Sequence, residues 1–404
     1  MAVKILHVIP AVATRYGGPS VAISGLCNAL SREGVRTEVV TTDADGPARL
    51  DVPLGVPVDR DGVRTTFFHS WGPDALKPSP GLSDWLSRKA GEWDLVHVHS
   101  VFGLPCLAAG RAARRAGVPY VVRPLGHLAP WSLSQHRLRK RAFWALGGRS
   151  FVEKADALHF TSRAEMEGAR LLVPGLKGFV VPLGLDLPAA GAGDAAGGFR
   201  DSVPGLGERP FVLFLGRLHK KKGLEELVDG FAATAEAGRW ALVLAGEGEP
   251  GYVKSLQERT ASRLPGRAFW VGWLEGDRKA AAMRETRLFA LVSRQENFGI
   301  SAFEAMAEGT PVLAGSGVDL ASEIEEAGAG WKVEPDAGAV SAILARVLAD
   351  EDELSRRGSG AVRLVRERYS WPAVARALIA EFARLIGAAR SATTSGERGV
   401  AVVH

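Results

Sequence analysis

Glu296 and Glu304 stand eight residues apart around the segment Asn297-Phe298-Gly299-Ile300. Patterning predicts an apolar strand over residues 289–292, a polar loop, a helix over 300–307 stopped at Gly309, and a second apolar strand over 311–314. Strand, loop and helix start, in that order, are how a parallel α/β sheet presents a site beyond its strand ends. Carboxylates accept hydrogen bonds from hydroxyl groups. The first amides of a helix have no intrahelical partner and suit an anion such as a diphosphate. One ligand can therefore meet Glu296 at one end and Glu304 at the other. A second junction, Gly216-Arg217-Leu218-His219-Lys220-Lys221-Lys222-Gly223, puts cations after a strand over 210–215 and before the next helix, where they can offset phosphate charge without a metal. In the amino-terminal half, Tyr16-Gly17-Gly18-Pro19-Ser20 follows the first strand, and its glycines let the backbone approach a phosphate closely. His97 and His99 lie on one face of a strand, and Arg123, His127 and Trp131 share the loop after another.

These residues need a scaffold of strands alternating with helices. The first strand (4–9), a helix to Arg32 ended by Gly34, and a strand over 35–41 form one βαβ unit. Further strands are expected at 95–98, 120–122, 157–161 and 179–182, and in the second half at 240–245 and 269–271 as well as those above. The pattern predicts two doubly wound, parallel-sheet α/β domains. Their expected limits are 1–187 and 210–370, with an Ala/Gly/Pro-rich linker over 188–209, a closing helix over 371–390 and a disordered tail over 391–404.

A charged fraction of 24% over 404 residues is that of a globular protein, long enough for two cores. Cys27 and Cys106 form no disulfide framework, which points to a reducing cytoplasm. The apolar start reads as a first strand rather than a signal peptide, and no run of apolar residues reaches membrane-spanning length. The net charge of +5 is unevenly spread: residues 1–187 hold 23 Lys and Arg against 16 Asp and Glu. No aromatic-interleaved RNA motif or zinc spacing accompanies this surplus, so an anionic acceptor or membrane face is expected rather than nucleic acid. Arg137, Arg139, Lys140 and Arg141 beside Phe143, Trp144 and Leu146 read either as a basic solvated helix or as an interfacial helix docking at an anionic membrane that presents a lipid-linked acceptor.

The string Glu296-Asn297-Phe298-Gly299-Ile300-Ser301-Ala302-Phe303-Glu304 resembles the E-x7-E signature of the retaining family-4 glycosyltransferases of bacterial polysaccharide and glycolipid biosynthesis. Gly216 to Gly223 resembles that family's G-R-x(4)-K-G segment. The resemblance implies the GT-B fold, two Rossmann-like domains facing a central cleft. It also implies metal-independent transfer of a sugar, with retention, from a nucleotide diphosphate sugar to a lipid-linked or saccharide hydroxyl acceptor, with no cofactor. It gives Glu296 to the donor sugar, Asn297, Phe298, Gly299 and Ile300 to the sugar and diphosphate, and Glu304 to the ribose. Arg217 and Lys222 go to the diphosphate, Gly17 and Gly18 to the reaction centre, and Trp273 to the nucleobase. Pro119 to Trp131 resembles the family's S-P-H-G-M-L-x-P-W, but the family's catalytic His falls on Leu125, so His127 is the nearest substitute. Asp43-Ala44-Asp45 resembles the metal motif of the other glycosyltransferase fold, yet its position ahead of a Gly-Pro loop makes it a solvated turn. A nucleotide-sugar 2-epimerase and a non-catalytic sugar-nucleotide binder remain open beside the transferase.

Overall fold

The computed structural model describes residues 2–16, 18–128, 132, 137–187, 198–234 and 236–399. Two compact units divide the chain: unit 1 is Met1–Gly184 with Trp371–His404, and unit 2 is Leu185–Ser370.

Unit 1 carries strands β1 (Lys4–Ala11), β2 (Arg36–Thr42), β3 (Ala44–Asp45), β4 (Ala48–Arg49), β5 (Pro57–Arg60), β6 (Val63–Phe68), β7 (Leu95–His99), β8 (Tyr120–Arg123), β9 (Ala157–Phe160) and β10 (Gly178–Val180). Eight of them form one sheet in the order β10-β9-β8-β7-β1-β2-β6-β5, while β3 and β4 make a small antiparallel pair. Every pair in the large sheet is parallel except β5–β6 at one edge. β7 and β8 are buried along their whole length, the signature of a parallel sheet covered on both faces. One face packs on the helices Pro80–Lys89 and Leu104–Arg115. The other packs on Gly18–Arg32 and on the chain's last helix, Trp371–Gly399, through Trp371, Val374, Leu378 and Phe382. Trp371 lies between Gly25 and Gly184, neither of which has room for a Cβ. The chain thus crosses from β1 to β2 on one side and back to β7 on the other. The sheet's topological switch point lies between β1 and β7.

Unit 2 has β11 (Phe211–Leu215), β12 (Ala241–Ala245), β13 (Ala268–Gly272), β14 (Leu288–Leu291), β15 (Val312–Gly315) and β16 (Gly330–Val333). They form an all-parallel sheet in the order β13-β12-β11-β14-β15-β16, with its switch point between β11 and β14. The unbroken apolar runs FVLFL, ALVLA and LFAL are fully buried, as both-face coverage demands.

Three expectations change. Residues 188–197 of the expected linker lie outside the described residues, but 198–209 are folded onto unit 2. Phe199 is buried with its ring 5.8 Å from Phe211, and the Phe199 and Arg200 amides donate to the Glu285 carboxylate at 2.6 and 3.0 Å. The small-residue composition hides three apolar anchors there, Phe199, Val203 and Leu206. The closing helix does not end at 390. With no proline to stop it, it continues through the expected tail to Gly399, and 400–404 lie outside the described residues. Asp43 is no solvated turn residue: it is 3% exposed, accepts from the Ser70 amide at 2.8 Å and meets His69 Nδ1 at 2.8 Å.

Candidate functional site

In unit 2 the strand ends β11, β12 and β13 are tied together by their glycine turns. The Gly216 amide donates to Ala245 O at 3.0 Å and the Gly246 amide to Gly272 O at 2.8 Å, and a Cβ on Gly246 would collide with Gly216 O. The segment after β11 makes a short turn, Lys220–Lys222, ended by Gly223 at φ +64. Gly223 presses on Val292 O just past β14, so the loop is pinned across the switch point. The Arg294 amide donating to Lys221 O at 2.8 Å reinforces this. The loop after β14 is held from the other side, where the Glu296 amide donates to Gly317 O (2.8 Å) and Asp319 N donates to Glu296 O (2.9 Å). The result is a direct ion pair between the Lys222 ammonium and the Glu296 carboxylate, with side chains 12% and 19% exposed.

The helix Ile300–Ala307 begins beside this pair. Its N-cap is Gly299 at φ +75, with no side-chain cap; the Ala302 amide turns back to Gly299 O at 2.8 Å, and the Ile300 and Ser301 amides ahead of it are the ones a ligand can use. Asn297 and Ile300 are half-buried, and Arg217 is exposed at the end of β11. Glu304 is paired with Lys279 at 2.7 Å, a residue no motif singled out. The expectation for Phe298 concerns its amide, and its side chain is core: the ring stacks on Phe303 at 4.7 Å and lies 5.8 Å from Tyr369, so only its backbone is left for a ligand. Trp273, 53% exposed, follows β13 at the sheet edge, with β12 and β11 between it and β14, so it does not join the Lys222–Glu296 group.

Unit 1 has a cavity of about 310 Å³ at its own switch point, lined by Tyr16, Lys77, His99, Ser100, Leu125 and His127 among others. Gly18 opens the helix Gly18–Arg32 at this end of the sheet; Gly17 and Trp131 lie outside the described residues. Leu125 and His127 line the same cavity, so an imidazole is available where the aligned position is apolar. Two non-glycine residues here have left-handed backbones, Ser100 (φ +100) and Leu125 (φ +57), a strain that needs support. Glu165 supports the turn at Leu125, accepting from Gly126 N at 2.7 Å and from Thr161 N and Oγ1 at 2.9 Å, while the Ser100 amide donates to Arg123 O at 2.8 Å. His127 Nδ1 is 3.3 Å from Ser100 Oγ, and burial, then the nearby Lys140 charge, pushes its pKa down to about 4.

Behind the cavity four buried histidines share one sheet face. His159 donates Nε2–H to Val181 O (2.8 Å), so its Nδ1 accepts from His97 Nε2–H (3.3 Å), while His7 Nδ1 meets His99 Nε2 at 3.1 Å. Burial holds all four well below the ordinary histidine value, His7 at about 3, and the buried Arg123 guanidinium adds to the effect on each. Ligand atoms of His7, His97 and His99 lie within 4.8 Å of one another. The same Arg123 charge that keeps the imidazoles neutral opposes a metal cation among them. Arg137, Arg139 and Arg141 are exposed and Lys140 half-buried on the helix Arg137–Phe143.

Comparison with known proteins bears directly on this geometry. Residues 199–363 match the family model described as glycosyl transferases group 1, and residues 17–184 match the glycosyl transferase 4-like domain. The solved structure of Anabaena HepE in complex with UDP superposes with a TM-score of 0.73 at 20% identity, covering 94% of this chain and 100% of that one. This chain is a GT-B glycosyltransferase. It is also 28% identical over 390 residues, 91% of its length and 92% of the relative's, to a D-inositol 3-phosphate glycosyltransferase of Xylanimonas cellulosilytica. A 2-deoxystreptamine N-acetyl-D-glucosaminyltransferase of Streptomyces fradiae is 29% identical, with 75% of each chain covered. Three residues of the glycosyltransferase went unmarked in the sequence: Lys279, Ser100 and Glu165. Only Glu165 carried a signal, three positions after Ser162, whose hydroxyl accepts from the Glu165 amide as a helix N-cap.

Proposed function

We propose that this glycosyltransferase is a retaining member of the E-x7-E type that moves a sugar from a nucleotide diphosphate sugar to a hydroxyl acceptor in cell-surface polysaccharide or glycolipid synthesis. The observation that carries the reading is the meeting of Lys222 and Glu296 at the β11/β14 switch point, beside an uncapped helix start. Lys222 and Arg217 face the donor diphosphate and, with the amides after Gly299, stabilise its charge as it leaves; no metal is needed for that step. Glu296 accepts hydrogen bonds from the sugar hydroxyls. Glu304 takes the ribose in place of Lys279. HepE is a solved relative holding UDP, which favours a uridine donor. Unit 1 supplies the acceptor pocket, where neutral His127 is placed to hydrogen-bond the attacking hydroxyl. Arg137, Arg139, Lys140 and Arg141 support peripheral contact with an anionic membrane at the cytoplasmic face.

The test is a panel of UDP- and GDP-sugars with a library of hydroxyl acceptors, run with and without EDTA, with the anomeric configuration of any product read by NMR. Retention in EDTA is expected. An inverted product overturns the retaining assignment, and loss of activity in EDTA overturns the metal-free one.

A further inference from the structure

The acceptor cavity has a neighbour. A groove of about 750 Å³ lies along the helical segment after residue 137, lined by Arg137, Arg141, Arg149 and Trp144, and it shares two wall residues with the cavity, Phe102 and Lys140. Lys140 reaches back to Ser132 and lies 5.0 Å over the Phe102 ring, while Phe102 is 5.7 Å from His127. The two spaces therefore meet at one lysine and one aromatic ring.

Charge and apolar exposure coincide around this groove. From Leu95 to Val152 the chain has no Asp or Glu, and Arg137, Arg139, Lys140 and Arg141 fall in that stretch. The groove's one acidic lining residue among those described, Glu153, is taken up by Arg149 at 2.7 Å, which leaves Arg137, Lys140 and Arg141 as its cations. Among these cations stand Leu138 and Leu146, 83% and 79% exposed, with Leu171 at 86% beside the groove-lining Leu172. A soluble phosphate would use the cations and leave the leucines in water. A nucleic acid would need exposed aromatic faces, and the exposed apolar residues here are leucines. Cations interleaved with exposed aliphatic side chains fit a bilayer interface, where the charges meet phosphates and the leucines enter the acyl boundary.

We propose that the groove seats the phosphate and the first stretch of hydrocarbon of a lipid-linked acceptor, whose hydroxyl-bearing head passes Lys140 and Phe102 into the His127 cavity. This rests on the transferase reading and narrows its acceptor to an anionic amphiphile drawn from the membrane surface.

The full chain is tested by flotation with phosphatidylcholine vesicles, with and without phosphatidylglycerol, and by calorimetry with dodecyl phosphate against butyl phosphate. Binding should require phosphatidylglycerol. It should fall at least about tenfold in two variants, Leu138→Ser/Leu146→Ser/Leu171→Ser and Arg137→Glu/Arg141→Glu, and dodecyl phosphate should bind at least about tenfold tighter than butyl phosphate. Equal affinity for the two alkyl phosphates, vesicle binding untouched by the leucine changes, or self-association through this face in place of vesicle binding each overturns the proposal. UDP calorimetry on the same samples separates the two readings. Intact UDP binding with no amphiphile binding sinks only this inference, whereas amphiphile binding without UDP binding sinks the donor site. Because the three leucines are exposed, their replacement leaves UDP affinity as the check on folding.

Discussion

Lys222 and Glu296 neutralise one another, whereas in the proposed donor complex one turns to phosphate and the other to sugar. UDP alone brings phosphate for Lys222 and nothing for Glu296, so its binding must compete with the ion pair. Side chains 12% and 19% exposed place the pair between a surface bridge, worth about 0–1 kcal/mol, and a buried one, whose breaking costs about 3–5 kcal/mol. A competing contribution of about 1 kcal/mol is a reasonable middle value, which is about fivefold in affinity. Glu296→Gln should therefore bind UDP as well as the native protein or up to about fivefold tighter, yet lose on the order of 100- to 1000-fold in kcat as the charged acceptor for the sugar disappears. Lys222→Met should weaken UDP binding and lower kcat together. Titration calorimetry with UDP and steady-state transfer measure the two effects separately. If Glu296→Gln weakens UDP as much as Lys222→Met does, or keeps kcat within about threefold, then Lys222 and Glu296 do not divide the donor between phosphate and sugar.

Further outcomes follow from the same structure. Gly299→Ala forces a left-handed backbone on alanine and sets a Cβ 2.7 Å from Leu291 Cδ2, inside a buried strand. It should cost about 2–5 kcal/mol, read as a lowered Tm with weaker UDP binding. Glu165→Ala removes the acceptor of three hydrogen bonds, one from Gly126 N and two from Thr161, that tie the Leu125–Gly126 turn to the end of β9, and should raise KM for the acceptor with little change in UDP affinity. The buried His7, His97, His99 and His159 have pKa values lowered by folding, so the unfolded chain takes up protons below about pH 6.5 that the folded chain refuses. Stability from these groups is complete above that pH and is lost as pH falls, at up to about 1.4 kcal/mol per pH unit for each. Melting curves at falling pH should show unit 1 destabilised first, and a Tm for unit 1 that is flat between pH 7.5 and 5 would contradict this. His127 titrates only near 4, so transfer should show no step attributable to it between pH 5 and 8.

Much of the geometry proposed for the donor is legible in the sequence because its signals are local. The Glu296 to Glu304 stretch lies within one strand–loop–helix unit, and the helix Ile300–Ala307 has the bounds that the apolar pattern and the Gly309 stop require. At Phe298 a backbone expected at the ligand and a core side chain occupy one position, and sequence spacing does not announce the second role. The Lys279–Glu304 pair joins two helices 25 residues apart in sequence, and no local pattern announces it. In unit 1 the informative contacts are longer still. Four histidines from β1, β7 and β9 gather only through strand order, and Leu125 and His127 prove to line one cavity only once the turn at Gly126 is seen. The expected linker and tail rest on composition, which weighs many small residues above the few anchors, such as Phe199, that decide whether a segment is ordered.

Trp371, fixed between Gly25 and Gly184, marks where the chain re-enters unit 1 after completing unit 2. The amino-terminal sheet therefore waits for residues 371–386 to be synthesised before Val374, Leu378 and Phe382 can cover the face that carries Ile5, Val39 and Val121. During translation unit 2 has all its strands available while unit 1 still exposes an apolar sheet face and its buried histidines. A truncation before Trp371 would thus injure the sheet that holds β1, more than 300 residues away in sequence, and leave the sheet of unit 2 whole.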